Sequence, residues 1–290
     1  CHTQITLKPL SRRASRALVR EILKKVDSIP TNLRDLIVAA AEGNPFYVEE
    51  LIKMLIDDGL ILVGENQWKV ELMSLPEARV PLTLTGILQA RLDSLPHEEK
   101  AILQRASVVG RQFWGAVVAE LARDNGETTP VDELLNNVRK RELIFRREFS
   151  IFETTDEYIF KHALTQEVAY NSLLKKHRKE IHEKIGAAIK FLYSDRLEEY
   201  YELLAYHYGH SDNSEMALEY LERANQKSIE MNAMQEAIAF FEDAMKILDT
   251  MPDTEENRQR RISLLSSQFF VFRLLNRAPE FYEILLNFEP

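Results

Sequence analysis

Apolar positions along most of the chain recur every three or four residues, the spacing of amphipathic helices. Leu18, Ile22 and Val26 predict a helix over Ala14–Val26. After Pro30, with Thr31 as a cap, Leu33, Leu36, Ile37 and Ala40 mark a second. Val48, Leu51, Ile52, Leu55 and Ile56 mark a third, with Glu49, Glu50 and Lys53 between them and Gly59 as its stop. That periodicity sets aside a strand reading of Met54-Leu55-Ile56-Asp57-Asp58, in which an apolar run would end in acids that hold Mg²⁺. Where the second helix gives way to the third stands Gly43-Asn44-Pro45. Glycine can take the left-handed turn that ends a helix, asparagine can cap the next, and proline suits its first turn. Strands are expected at Thr3–Leu7, and at Leu60–Val63 and Gln67–Val70 as a hairpin in which Trp68 is a packing anchor.

Beyond a Pro-bounded connector over Leu75–Pro81, helices are expected at Leu82–Leu92, Glu98–Val108, Phe113–Arg123 and Val131–Arg141. Short strands follow at Leu143–Arg147, Ser150–Phe152 and Glu157–Lys161, and helices followed by a β-hairpin are the pattern of a winged helix. Everything after Thr165 reads helical. Ala217, Tyr220, Leu221 and Ala224 in one helix are echoed by Ala237, Phe240, Phe241 and Ala244 in the next, as in stacked tetratricopeptide units. A further helix is expected around Glu256–Leu275, and then a tail whose Phe281, Tyr282, Leu285 and Phe288 would want a partner. The expected fold is mainly α in three parts: a helical segment with a hairpin over 1–78, a winged helix over 79–165, and helical repeats, read as truncated, over 166–290.

Charge narrows the function classes. The net charge of −9 over 290 residues argues against general affinity for nucleic acid or anionic membranes. Between Pro81 and Thr165 eleven Lys and Arg face thirteen Asp and Glu, a poor basis for phosphate contacts despite Arg139-Lys140-Arg141 and Arg146-Arg147. No apolar run approaches the roughly 20 residues of a membrane span, and the single cysteine, Cys1, forbids an internal disulfide, so a cytoplasmic home is expected. Arg12-Arg13-Ala14-Ser15 matches a basophilic kinase site but reads first as a charged helix turn, and Lys175-Lys176-His177-Arg178-Lys179 reads as a solvated face. His207 and His210 can share a helical face, but no acidic or cysteine partner makes a metal site of them, so none is expected.

Five stretches carry a resemblance: AEGNPFYVEELI with ITLKPLS ahead of it, VPLTLTGILQARLDSL, LQRASVVGRQFW, YIFKHALTQEVAYNSLL and LLAYHY. In this order they resemble the STAND branch of AAA+ signalling ATPases, above all the bacterial proteins in which such an ATPase sits beside class III adenylate/guanylate cyclase domains and tetratricopeptide repeats. The resemblance covers most of the chain up to about Ala244. It makes residues 1–78 the AAA+ lid, with Gly43, Asn44 and Pro45 at the nucleotide and His162 reaching the β-phosphate of bound ADP. Several branches place Asp after that histidine, whereas Ala163 stands here. The implied cofactor is ATP/ADP with Mg²⁺, held by a phosphate-binding domain expected before Cys1, and the implied partner is a protein met by the repeats.

No catalytic constellation stands in the chain itself. None of the nine glycines precedes Lys, so there is no P-loop, and there is no nucleophile elbow or zinc spacing. Two other readings stay open beside the ATP/ADP switch: a tetratricopeptide adaptor without a nucleotide role, and a winged-helix transcription regulator.

Overall fold

The computed structural model describes residues 8–71, 81, 83–123, 129–147 and 155–286. The strands expected at Thr3–Leu7 and Ser150–Phe152, most of the Leu75–Pro81 connector, Cys1 and Phe288 lie outside the described residues. The chain is mainly helical, with two small antiparallel sheets, and its contacts divide it into two units: Cys1–Leu103 with Lys161–Ser172, and Gln104–Phe160 with Leu173–Pro290.

In the first unit α1 (Arg12–Ile22), α2 (Thr31–Ala41) and α3 (Pro45–Asp57) pack pairwise around Val19, Leu23, Leu33, Ile37, Val48, Leu51, Ile52 and Leu55. Each fully buried side chain of this kind contributes roughly 1.5–3 kcal/mol, which gives the three-helix core its cohesion. Ser11 caps α1, and the helix stops before Val26, which instead forms a bridge with Trp68. Ser15 is buried on the inner face of α1, so the RRAS tetrapeptide offers no hydroxyl to a kinase. Thr31 is the first helical residue of α2 rather than its cap; Pro30 takes that place and has no side chain to do the work.

The hairpin β1 (Ile61–Leu62) and β2 (Lys69–Val70) pairs Ile61 with Val70, and the Trp68 N–H donates to the Lys25 carbonyl at 2.8 Å. Helix α4 (Leu84–Asp93) packs on α3, and α8 (Ala163–Asn171) packs on α4. Helix α5 (His97–Val109) begins in this unit and ends in the other.

The second unit holds β3 (Gln112–Trp114), α6 (Gly115–Arg123), α7 (Val131–Lys140), β4 (Ile144–Arg146) and β5 (Glu157–Phe160). The strand order is β3-β5-β4, with Phe113 opposite Tyr158 and Ile144 opposite Phe160. The helix expected from Phe113 therefore begins two residues later. Phe113 is spent on the sheet, stacked at 5.6 Å on Tyr158, and Gly115 starts the helix.

Six more helices follow α8, joined after the first by a 3₁₀ segment, Ser194–Tyr200. They are α9 (Lys175–Leu192), α10 (Tyr201–Gly209), α11 (Ser214–Glu230), α12 (Met234–Thr250), α13 (Glu255–Leu274) and α14 (Ala278–Leu286). Consecutive members from α9 to α14 pack as neighbours, an arrangement like that of helical repeats. Of the echoed repeat positions all are buried but Phe240, which is half-buried beside a cavity. Gly186 lets α9 approach α10 closely, since a Cβ there would lie 2.5 Å from the Tyr208 ring. Phe281 is not the exposed tail residue expected. It is buried against Phe269 and Phe272, while Tyr282 and Leu285 remain exposed.

Candidate functional site

The junction of α2 and α3 is built by three consecutive backbone choices. Glu42 ends α2 in the left-handed region at φ 47°, a place expected for Gly43, and Gly43 itself follows at φ 84°. Gly43 is required there twice over. Its backbone is strained for any other residue, and a Cβ would fall 2.5 Å from the Leu10 carbonyl oxygen. The close approach is used: the Leu10 N–H donates to the Gly43 carbonyl at 2.8 Å, strapping the segment before α1 onto the turn. Asn44 then caps α3, its Oδ1 accepting from the N–H groups of Phe46 and Tyr47, and Pro45 is the first residue of the helix.

Around this turn opens a concavity of about 540 Å³ lined by Lys8, Pro9, Gly43, Pro45, Tyr47 and Leu84, among others. The size lies within the usual range for small-ligand sites. Pro45, Leu84 and Ala40 supply apolar wall, and Lys8 a cation at the rim. The Tyr47 hydroxyl donates to the Pro81 carbonyl. Burial, with Glu42 adding to it, pushes the Tyr47 phenol above its ordinary range, so it stays a neutral donor.

His162, the residue before α8, comes to the same helix end from 116 positions along the chain. Its ring lies 3.7 Å, centroid to centroid, from that of Phe46, tilted by 38°. Burial is the chief cause that lowers its pKa; Lys161 and Lys53 push the same way, while Glu50 and Glu49 oppose. The imidazole is therefore neutral at pH 7, and its buried Nε2 has no hydrogen-bond partner among the described residues. Its main chain serves α8, accepting from the Thr165 N–H at 3.1 Å.

One turn below Phe46, Glu50 is buried and paired with Arg91 of α4; the Arg91 Nε also donates to Asp57 at 3.2 Å. This ion cluster fixes the angle between α3 and α4 under the His162–Phe46 contact. Sequence reasoning missed it, because Glu50 and Arg91 each read as an ordinary exposed helix charge. Asp57 is thus part of the Arg91 cluster.

The four residues singled out in the sequence thus divide. Pro45 faces the concavity and His162 presents an unused ring nitrogen. Gly43 and Asn44 also line it, but each has a structural task as well, in the strap and in the cap. Among the described residues no group of three or more His, Cys, Asp or Glu side chains is set to hold a metal ion, and no helix is long and apolar enough to cross a membrane. Residues 11–68 match the model of a domain of unknown function, DUF8739, a span that takes in the Gly43 turn and ends at Trp68. No curated protein matches the chain.

Proposed function

We propose that this chain is the regulatory C-terminal portion of a STAND-type ATP/ADP switch: a lid, a winged helix and helical repeats. The observation that carries the reading is the contact of His162 with Phe46, the residue after Pro45, at the start of α3, whose Pro45 lines a concavity of nucleoside size. An adenine nucleotide with Mg²⁺ would bring phosphate charge held by a P-loop on another domain. Pro45 and Leu84 would flank its base, and the neutral His162 would donate one N–H to a phosphate oxygen, answering its lone Nε2. The order helix–strand–helix–helix–strand–strand, with strands arranged β3-β5-β4, supports the winged-helix assignment. The switch works only if ADP and ATP favour different arrangements of lid and winged helix, since a ligand shifts an equilibrium by its differential affinity alone. The output, a nucleotide cyclase or another effector, belongs to other domains of the parent, and a cytoplasmic location follows from the same reading.

The test begins with the gene: coding sequence ahead of Cys1 should contain a P-loop. The protein carrying it should bind ADP, and His162→Ala should weaken that binding about tenfold, the value of one hydrogen bond to a charged group. Equal ADP affinity in the two proteins would remove His162 from the site.

A second reading, a tetratricopeptide adaptor, has its own observation. A cavity of about 350 Å³ opens between α10, α11 and α12, lined by Ala205, Leu221, Phe240 and Ile247 and edged by Tyr206 and His210. A protein that binds a peptide there and no nucleotide would favour the adaptor.

A further inference from the structure

His182 of α9 and His207 of α10 are both buried, and their Nδ1 atoms lie 2.9 Å apart. At that distance one nitrogen must carry the hydrogen and the other must be bare. The Nε2 of His207 is buried and has no partner among the described residues, whichever tautomer the ring adopts. The third ring, His210, sits 5.2 Å from His182, centroid to centroid, and its Nδ1–H donates to the Tyr206 carbonyl at 2.8 Å. An all-neutral pair in this setting is a contact that depends on the number of protons present.

One added proton leaves an imidazolium donating to an imidazole, and the contact survives. A second proton, taken from solvent by the remaining bare nitrogen, leaves two N–H groups pointing at each other and two positive charges in the seam. The surroundings oppose both steps. Helix α9 carries six Lys or Arg against Glu180 and Glu183. His210 and Arg178 both act against a charge on His182, and the other two imidazoles against one on His207.

The carboxylates of the packed helices are engaged elsewhere. Glu180 faces His177, Glu183 accepts from Asn213, and Asp212 pairs with Lys179. Glu202 pairs with Lys227, Glu219 with Arg223, Asp243 with Lys246 and Glu120 with Arg123. Glu222 feels Arg260, and Asp195, Glu198 and Glu199 of the 3₁₀ segment line a separate concavity with Lys227.

We propose that the His182–His207 pair is an acid-sensitive latch between α9 and α10: neutral, it holds the two helices together, and its double protonation releases them. Release also frees the Tyr206–His210 edge of the cavity shared with α11 and α12. The direction follows from linkage. His182 titrates at about 4 in the folded chain, against about 6.5 for a free imidazole. An opened seam therefore takes up protons that the closed seam refuses as pH falls below 6.5. His182 alone shifts the balance toward opening about twentyfold between pH 7 and pH 5.

Amide hydrogen exchange of the whole chain, corrected for the intrinsic pH dependence of exchange, tests this. Protection in α9 and α10 should fall about twentyfold from pH 7 to pH 5 while α12 and α13 hold. A His182→Gln/His207→Asn variant, which keeps a neutral hydrogen-bonding pair, should lose that difference. Equal loss across all helices, or an unchanged difference in the variant, would overturn the latch. If the variant does not fold, ring NMR of the unaltered chain decides. Both buried rings should remain neutral at pH 6, and titration of both in the ordinary imidazole range would overturn the proposal.

Discussion

The helical cores of the two units bury polar groups in opposite ways. The first sinks true ions, with Glu50 against Arg91 and Asp57 at its edge, and surrounds His162 with both signs of charge. From α9 onward the second buries neutral polar side chains instead, its buried Glu157, paired with Arg147, lying in the sheet. Besides the histidine pair, Asn225 donates to the Ala237 carbonyl at 2.7 Å and accepts from Gln268 at 3.0 Å. A compensated ion pair is costly to break from one side, because the survivor stays buried and charged. Neutral partners respond to whatever changes their protonation or their hydrogen-bond count. The first unit is thus built to resist, the second to respond.

The sharpest way to break this contrast is Arg91→Ala, which leaves buried Glu50 to Lys53 at 3.4 Å and should cost about 3 kcal/mol in urea unfolding, with a far smaller loss for Glu50→Leu/Arg91→Met together. A loss under about 1 kcal/mol for Arg91→Ala would show the pair to be effectively solvated. Of similar size is Gly43→Ala, expected to cost about 3 kcal/mol because it strains the backbone and drives a methyl into the Leu10 carbonyl. Differential scanning calorimetry reads that change.

In the second unit acid should do what mutation does in the first. Since His182 is held at about 4, stability is intact above pH 6.5 and falls as pH drops toward 4. The loss from pH 7 to pH 5 should be about 2 kcal/mol and absent in His182→Gln, as read by urea midpoints at each pH. The smallest effect is Asn44→Ala, about 1 kcal/mol for a lost cap. Were it neutral, the α3 start would be held by the Leu10 strap alone.

Much of the helical framework could be read in advance, because Leu, Ile and Val at three- and four-residue spacing leave few alternatives. The Gly43-Asn44-Pro45 turn was legible for the same reason, as each residue has a conformational preference of its own. Strand β3 was not, since Phe113 and Trp114 run into Gly115-Ala116-Val117-Val118 and the apolar run hides the change of period. Buried Phe281 was lost to a similar ambiguity, an aromatic among apolar neighbours near the end of the chain. At the site, Pro45 could be read locally, but the His162–Phe46 contact and the Glu50–Arg91 pair join distant residues, and nothing in either local sequence announces the other. His182 was passed over because its partner lies 25 residues away, while His207 and His210 drew attention by lying three apart.

The account turns on His162 as a nucleotide contact, and one titration tests it directly: ADP binding to the parent protein and to its His162→Ala variant, by calorimetry at pH 7. The account predicts about tenfold weaker ADP binding in the variant and no change in a His182→Gln control. Equal ADP affinity in all three proteins would contradict it, leaving His162 a structural ring on Phe46 and the helical-repeat adaptor as the reading to pursue.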